Sequence, residues 1–108
     1  MRAVLLILAL AFAGGAIAAG GDAEKGKAKA AQVCAACHGA DGAKPAAPEN
    51  PILAGQYADY LVKALQDYKS GKRSNPVMKA FADQLSKQDM HDVAAWFSSQ
   101  QSSLHFQR

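Results

Sequence analysis

Large side chains are scarce in this 108-residue chain. Aromatic residues make up 7% of it, with a single tryptophan, and the 50% hydrophobic content leans on alanine. The length predicts one domain and excludes a large enzyme with separate cofactor and substrate domains. A core this poor in bulky residues predicts a covalent, metal or cofactor staple. Cysteine is sparse too: the two present can make at most one disulfide. The formal charge is only +3, and the basic residues lack interleaved exposed aromatics, which argues against a nucleic-acid partner. No strand-like alternation and no internal repeat follow the first 18 residues, so the fold class is all-α.

What is present begins with an export signal. Met1-Arg2 forms a short positive region, Ala3 to Ala13 is an uninterrupted apolar run, and Gly14-Gly15 leads into Ala16-Ile17-Ala18. These are the three parts of a secretory signal peptide, with cleavage after Ala18 or Ala19. The run falls short of the roughly 20 apolar residues a membrane span needs, so cleavage is preferred to a retained anchor. The expected organisation is a leader at 1–18, one domain at 19–100, and a polar, frayed tail at 101–108. Export predicts a periplasmic protein, membrane-anchored only if the leader is kept.

The mature chain reads as three helices joined by two loops. Asp22 suits the N-cap of the first, with Glu24 in its first turn. Gly26, Ala30, Val33, Cys34 and Cys37 then share one helical face, while Lys25, Lys27 and Lys29 stay in water. A buried glycine in a helix costs about 1 kcal/mol against alanine, so a close crossing with another helix is expected at Gly26. A glycine- and proline-rich loop runs from Gly39 to Gly55. The second helix carries Tyr57, Tyr60, Leu61, Ala64, Leu65 and Tyr68 with helical period, an Asp59–Lys63 pair, and Gly71 as its stop. A second loop spans Lys72 to Leu85, with a turn signal at Asn75-Pro76. The third helix opens on a capping-box-like Ser86/Asp89 pair and turns Met90, Val93, Ala94 and Phe97 to one face, with Trp96 alongside.

The chemistry lies in Cys34-Ala35-Ala36-Cys37-His38. Two thiols three residues apart on one turn can each add to a vinyl group of the same haem. The next residue, His38, is then carried under the ring as a proximal iron ligand. This is the pattern of c-type haem attachment, predicting one covalent haem c. Three plainer readings compete. A thioredoxin-like pair wants a βαβ context, and a zinc site wants four ligands, yet His91 and His105 lack suitable spacing. A simple disulfide leaves His38 and the small core unexplained.

A sixth iron ligand separates an electron carrier from a gas binder. A thioether favours the reduced iron, so methionine suits a carrier. Met78, in the loop after Asn75-Pro76-Val77, is preferred. Met90 sits on an apolar helix face, where methionine is more often core filler. A bis-histidine arrangement through His91 or His105 is the remaining alternative.

Several features occur in a fixed order: Gly26, the Cys34–His38 motif, Gly39-Ala40-Asp41-Gly42, Pro51-Ile52-Leu53-Ala54-Gly55-Gln56, Tyr60-Leu61 ending at Gly71, Asn75-Pro76-Val77-Met78, and the Trp96 helix. Together they resemble class I cytochromes c, most closely the small bacterial c553 and c4 groups, from about Gly21 to Gln100. The resemblance implies a small class I fold of three main helices and loops wrapped around one haem. It implies a crossing of first and last helices at Gly26 and the Trp96/Phe97 pair. It also implies that the Pro51 carbonyl accepts a hydrogen bond from His38 Nδ1–H, and that Met78 is the axial methionine. Cytochromes c4 carry two such domains; this chain has one, predicting one haem.

With both axial positions filled, the iron offers no open site, and outer-sphere one-electron transfer is the expected function rather than catalysis. Between Tyr60 and Ala80 lie Lys63, Lys69, Lys72, Arg73 and Lys79 against Asp67 alone. If that stretch rims the haem edge, it steers the carrier to redox proteins with acidic docking surfaces, such as a cytochrome reductase, terminal oxidase or dehydrogenase. Two other classes are a haem subunit of a multi-subunit dehydrogenase and a haem-based gas sensor.

Overall fold

In a computed structural model, which describes residue 3 and residues 20–102, five helices surround an apolar cavity. The leader other than Ala3, the end of the tail and His105 lie outside the described residues. No described helix is long and apolar enough to cross a membrane. The helices are α1 (Ala23–Val33), α2 (Ala35–His38), α3 (Ala58–Ser70), α4 (Pro76–Ala82) and α5 (Lys87–Ser98).

Local chemistry accounts for where they start and stop. Asp22 caps α1 by accepting from the Glu24 and Lys25 amides at 3.0 and 3.1 Å. Ser86 caps α5 in a complete capping box: Asp89 N donates to Ser86 Oγ at 3.0 Å, and Ser86 N donates to Asp89 Oδ2 at 2.9 Å. The backbone and hydroxyl hydrogen bonds from Ser86, with Lys29 at 3.7 Å, hold the Asp89 carboxyl below its ordinary pKa. Gly71 closes α3 in the left-handed region at φ 85°, where a side chain would be strained.

Three expectations about these elements need correction. The first helical run does not continue through Cys37; α1 stops at Val33 and a separate single turn, α2, carries Cys37 and His38. The segment 72–85 is not all loop. Asn75-Pro76 serves as an N-cap followed by proline at the first helical position, and α4 grows from it. Lys63 pairs with Asp67 at 2.7 Å, not with Asp59, whose carboxylate accepts from the Tyr60 amide. Of the α1 lysines, Lys25 and Lys27 are exposed as expected, Lys27 lying over the Trp96 ring at 5.3 Å, while Lys29 is half-buried and faces Asp89.

Helix α1 packs across α5, and α5 against α3, with α4 closing on α3. The α1–α5 contact is backbone on backbone. Gly26 is buried, and a Cβ there would overlap the Asp92 carbonyl. The crossing therefore lies at Asp92–Val93, about one turn before the Trp96/Phe97 pair. Phe97 fills the core with Ala30, Leu61, Val62, Val93 and Ala94, while Trp96 donates its indole N–H to the Ala40 carbonyl at 3.0 Å. The Asp92 carboxylate is buried beneath this crossing and accepts from Asp22 N and Gln88 Nε2, each at 2.8 Å.

Two outcomes test this frame. Gly26→Ala gains about 1 kcal/mol of helix propensity but forces two backbones apart, so a net loss of about 1–3 kcal/mol is expected. An unchanged or raised denaturant midpoint of the haem-loaded protein would contradict it. Asp89→Asn should lower stability at neutral pH by at most about 1 kcal/mol. Because the folded carboxyl titrates low, its contribution is complete above the unfolded value of about 3.9 and fades as pH falls through the folded one. Midpoints of the two proteins should therefore converge in acid.

Candidate functional site

The cavity holds about 560 Å³, within the range of small-molecule and cofactor sites. One wall is α2 and the end of α1, contributing Val33, Cys34, Cys37 and His38. Pro51, Ile52 and Leu53 form a second side. Leu61, Leu65 and Tyr68 come from α3, and Val77, Met78 and Phe81 from α4; Val93, Ala94 and Phe97 make the floor.

His38 is buried and tightly held. Its Nδ1 lies 2.9 Å from the Pro51 carbonyl. A carbonyl can only accept, so Nδ1 is the nitrogen that donates, and Nε2 is the ring atom left to face a ligand. The loop that supplies Pro51 is tied back to α2: Ala46 N and Asn50 Nδ2 both donate to the Cys37 carbonyl, at 2.9 and 3.1 Å. Gly42 brings the loop's far end inward at φ 76°, and its carbonyl accepts from Leu53 and Ala54. A Cβ on Gly42 would press into Phe97.

Both cysteines are half-buried free thiols on the cavity wall. Burial pushes the Cys34 thiol up to about 11. Among the described residues no group of three or more His, Cys, Asp or Glu side chains converges to hold a metal ion. The cavity thus offers sulfur, one imidazole and a thioether around an apolar hollow, a donor set matched to haem and not to a bare ion.

Met78 lies in the first turn of α4, half-buried and facing the cavity. Its amide and that of Val77 donate to Asn75 Oδ1 at 3.0 and 3.1 Å, so the N-cap places the turn. Met90 is buried in the core at 2% exposure and lines no part of the cavity. His91 packs instead against Gly20 and Gly21. The site also draws on Asn50, not singled out in the sequence, and on Arg73, expected there only as one charge of the basic stretch rimming a haem edge. Asn50 braces the Cys37 carbonyl, and Arg73 reaches the rim, donating to the Tyr60 hydroxyl at 3.2 Å and lying 5.0 Å over the Tyr68 ring.

The cytochrome c family model matches residues 23–101. The chain belongs to the cytochrome c family. It is a small class I cytochrome with an all-helical fold and a covalently bound haem c. It is 52% identical over 101 residues to cytochrome c4 of Pseudomonas aeruginosa, covering 94% of this chain and 49% of that protein. A thiosulfate dehydrogenase electron acceptor of Stutzerimonas stutzeri is 52% identical over 66 residues, 61% of this chain and 31% of that one. Among solved structures, reduced recombinant cytochrome c4 from Pseudomonas stutzeri superposes with a TM-score of 0.70 at 47% identity, over 78% of this chain and 48% of that one. The chain thus spans half or less of the length of these relatives.

Proposed function

We propose that this cytochrome is a periplasmic one-electron carrier whose haem is bonded to Cys34 and Cys37, with His38 and Met78 as axial ligands. The observation that carries the reading is the meeting of these four residues on one apolar cavity, with His38 oriented by the Pro51 carbonyl at 2.9 Å. Haem bound there supplies the one-electron iron couple. The chain's own residues do the rest. Pro51 holds the imidazole in the tautomer that leaves Nε2 available and raises its basicity. Asn75 sets the turn that carries Met78, whose thioether favours the reduced metal. The apolar walls exclude water, so few dipoles must reorganise when the charge changes. With both axial positions occupied there is no place for a substrate, and the protein acts as a carrier and not an enzyme. Export of the mature domain after Ala18 or Ala19 accounts for the location.

Partner choice follows from charge. Lys63 and Lys79 are partly neutralised by Asp67 and Asp83, at 2.7 and 3.3 Å. Lys69, Lys72 and Arg73 have no ion-pair partner among the described residues and are exposed on the α3–α4 side of the cavity. This positive edge fits a redox protein with an acidic docking surface, such as a reductase, a terminal oxidase or a dehydrogenase. The similarity to a thiosulfate dehydrogenase electron acceptor favours a dehydrogenase as donor, with the cytochrome serving either as a free carrier or as a haem subunit of the complex.

Visible spectra of the haem-loaded protein test the ligation. The oxidised form should show the weak far-red thioether-to-iron band. Met78→Ala should abolish it and Met90→Leu retain it. A high-spin spectrum that responds to carbon monoxide in the unaltered protein would replace the carrier reading with an open iron. Docking is tested by stopped-flow electron exchange with an acidic redox protein. The rate should fall with ionic strength, and Lys72→Glu should slow it at low salt; salt-independent rates would remove the electrostatic reading.

A further inference from the structure

Helix α4 carries Met78 on only seven residues, too few to hold a fixed position by their own hydrogen bonds, and of its side chains only Ala82 is buried. Two lysines outside the cavity tie it down. Lys79, next in sequence to Met78, reaches across to α3 and donates to the Lys69 carbonyl at 3.0 Å. Lys69 lies in the last turn of α3, where carbonyls have no amide partner within the helix. The ammonium therefore meets an open acceptor at the negative end of the helix dipole. It also reaches the carboxylate of Asp83, which ends α4, at 3.3 Å from each oxygen. Lys69 makes a second tie in the other direction: its own side chain donates to the Leu85 carbonyl at 2.7 Å. Leu85 stands between α4 and α5, buried at 2% exposure on the cavity wall.

Both ties pass through one residue of α3. Lys79 fastens the part of α4 that bears Met78, and Lys69 fastens the chain where it leaves α4. Helix α4 can neither slide along α3 nor lift from it without breaking one of them. We propose that Lys79 and Lys69 are positioning residues for the Met78 thioether, holding α4 against α3 so that the sulfur resists displacement from the haem iron. This inference rests on the His38/Met78 reading. Neither lysine lines the cavity, so both act through the backbone of α4 and not by touching the haem. A hydrogen bond from a cation is stronger than one between neutral groups, which suits a helix with so little buried surface of its own. Lys63 provides the contrast. It carries the same charge on the same helix, but its partner Asp67 also belongs to α3, so it ties nothing to α4.

The test is a spectrophotometric titration of the oxidised, haem-loaded protein with imidazole, which reaches the iron on this side only when Met78 leaves. Loss of the far-red thioether band reports the exchange. Lys79→Ala should bind imidazole about three- to tenfold more tightly, the size of one net hydrogen bond. Lys69→Ala, which removes the tie to Leu85 and keeps the carbonyl that Lys79 uses, should shift the affinity in the same direction. Lys79→Arg restores a cationic donor and should return the affinity towards that of the unaltered protein. Lys63→Ala loses an equal charge and should leave it unchanged. If Lys79→Ala binds imidazole no more tightly than Lys63→Ala, with the far-red band intact in both, the clasp is overturned and Met78 ligation stands. An arginine variant as easily displaced as the alanine one assigns the effect to the lysine's stem and also overturns it. An unaltered protein without the far-red band overturns the ligation reading and the clasp together.

Discussion

Two helix backbones meet where a side chain cannot fit. Gly26 lets α1 rest on the Asp92 carbonyl of α5, and the buried Asp92 carboxylate ties Asp22 N and Gln88 Nε2 together at the same crossing. A buried carboxylate is tolerated only when its hydrogen bonds are made, so this contact is specified as well as close. Every wall of the cavity is referred to it. Helix α1 carries the cysteine turn out from one side of the crossing, and α5 carries Val93, Ala94 and Phe97 beneath the hollow. If the helices stood further apart, the turn bearing His38 would no longer face the floor.

The core above that crossing is thin. Among the described residues, the buried apolar ones are four alanines, a few branched aliphatics, Met90 and Phe97, arranged beside a hollow of about 560 Å³. Native interiors are close-packed, and a void of that size lined by Leu61, Leu65, Phe81 and Phe97 forfeits dispersion contacts on every face. A covalently bound haem completes this core and supplies the missing interior, so binding free energy contributes directly to folding. The shortage of large side chains and the size of the cavity are therefore one property of the chain, seen first in composition and then in space.

Helix ends were legible because they are local. Asp22, Ser86 with Asp89, and Gly71 act within a few residues of themselves, and each caps as its type and spacing imply. Asn75-Pro76 was ambiguous on the same local grounds, since an Asn-Pro pair opens a turn or caps a helix equally well; the Val77 and Met78 amides on Asn75 decide for the helix. The Lys63 pairing turned on a competition that spacing does not resolve. Asp59 and Asp67 both stand four residues away, but Asp59 is engaged by the Tyr60 amide. The crossing was visible as an unfavourable glycine, yet its partner lay a turn away from the aromatic pair because helix crossing depends on the whole packed interface. The Cys34–His38 motif was readable from spacing alone. The Asn50 brace was not, and Arg73 was readable only as one charge of a basic stretch, because their partners Cys37 and Tyr60 are each thirteen residues away and meet them only after the chain has closed around the cavity.

The two residues proposed as axial ligands are held differently. His38 is locked by a turn, a carbonyl at 2.9 Å, and a loop bonded twice to the Cys37 carbonyl. Met78 has no such clamp on its side chain. It is placed through the backbone of a seven-residue helix, and Val77, Phe81 and Leu85 line the same cavity. Short helices are marginal without packing, so α4 draws its order from α3 and from whatever fills the cavity. Under the proposed His38/Met78 ligation, the imidazole side is preorganised before haem arrives and the thioether side is completed by it. Displacement of an axial ligand would then begin at Met78, and any opening of the iron would proceed through α4 while the Cys34–His38 turn stays fixed.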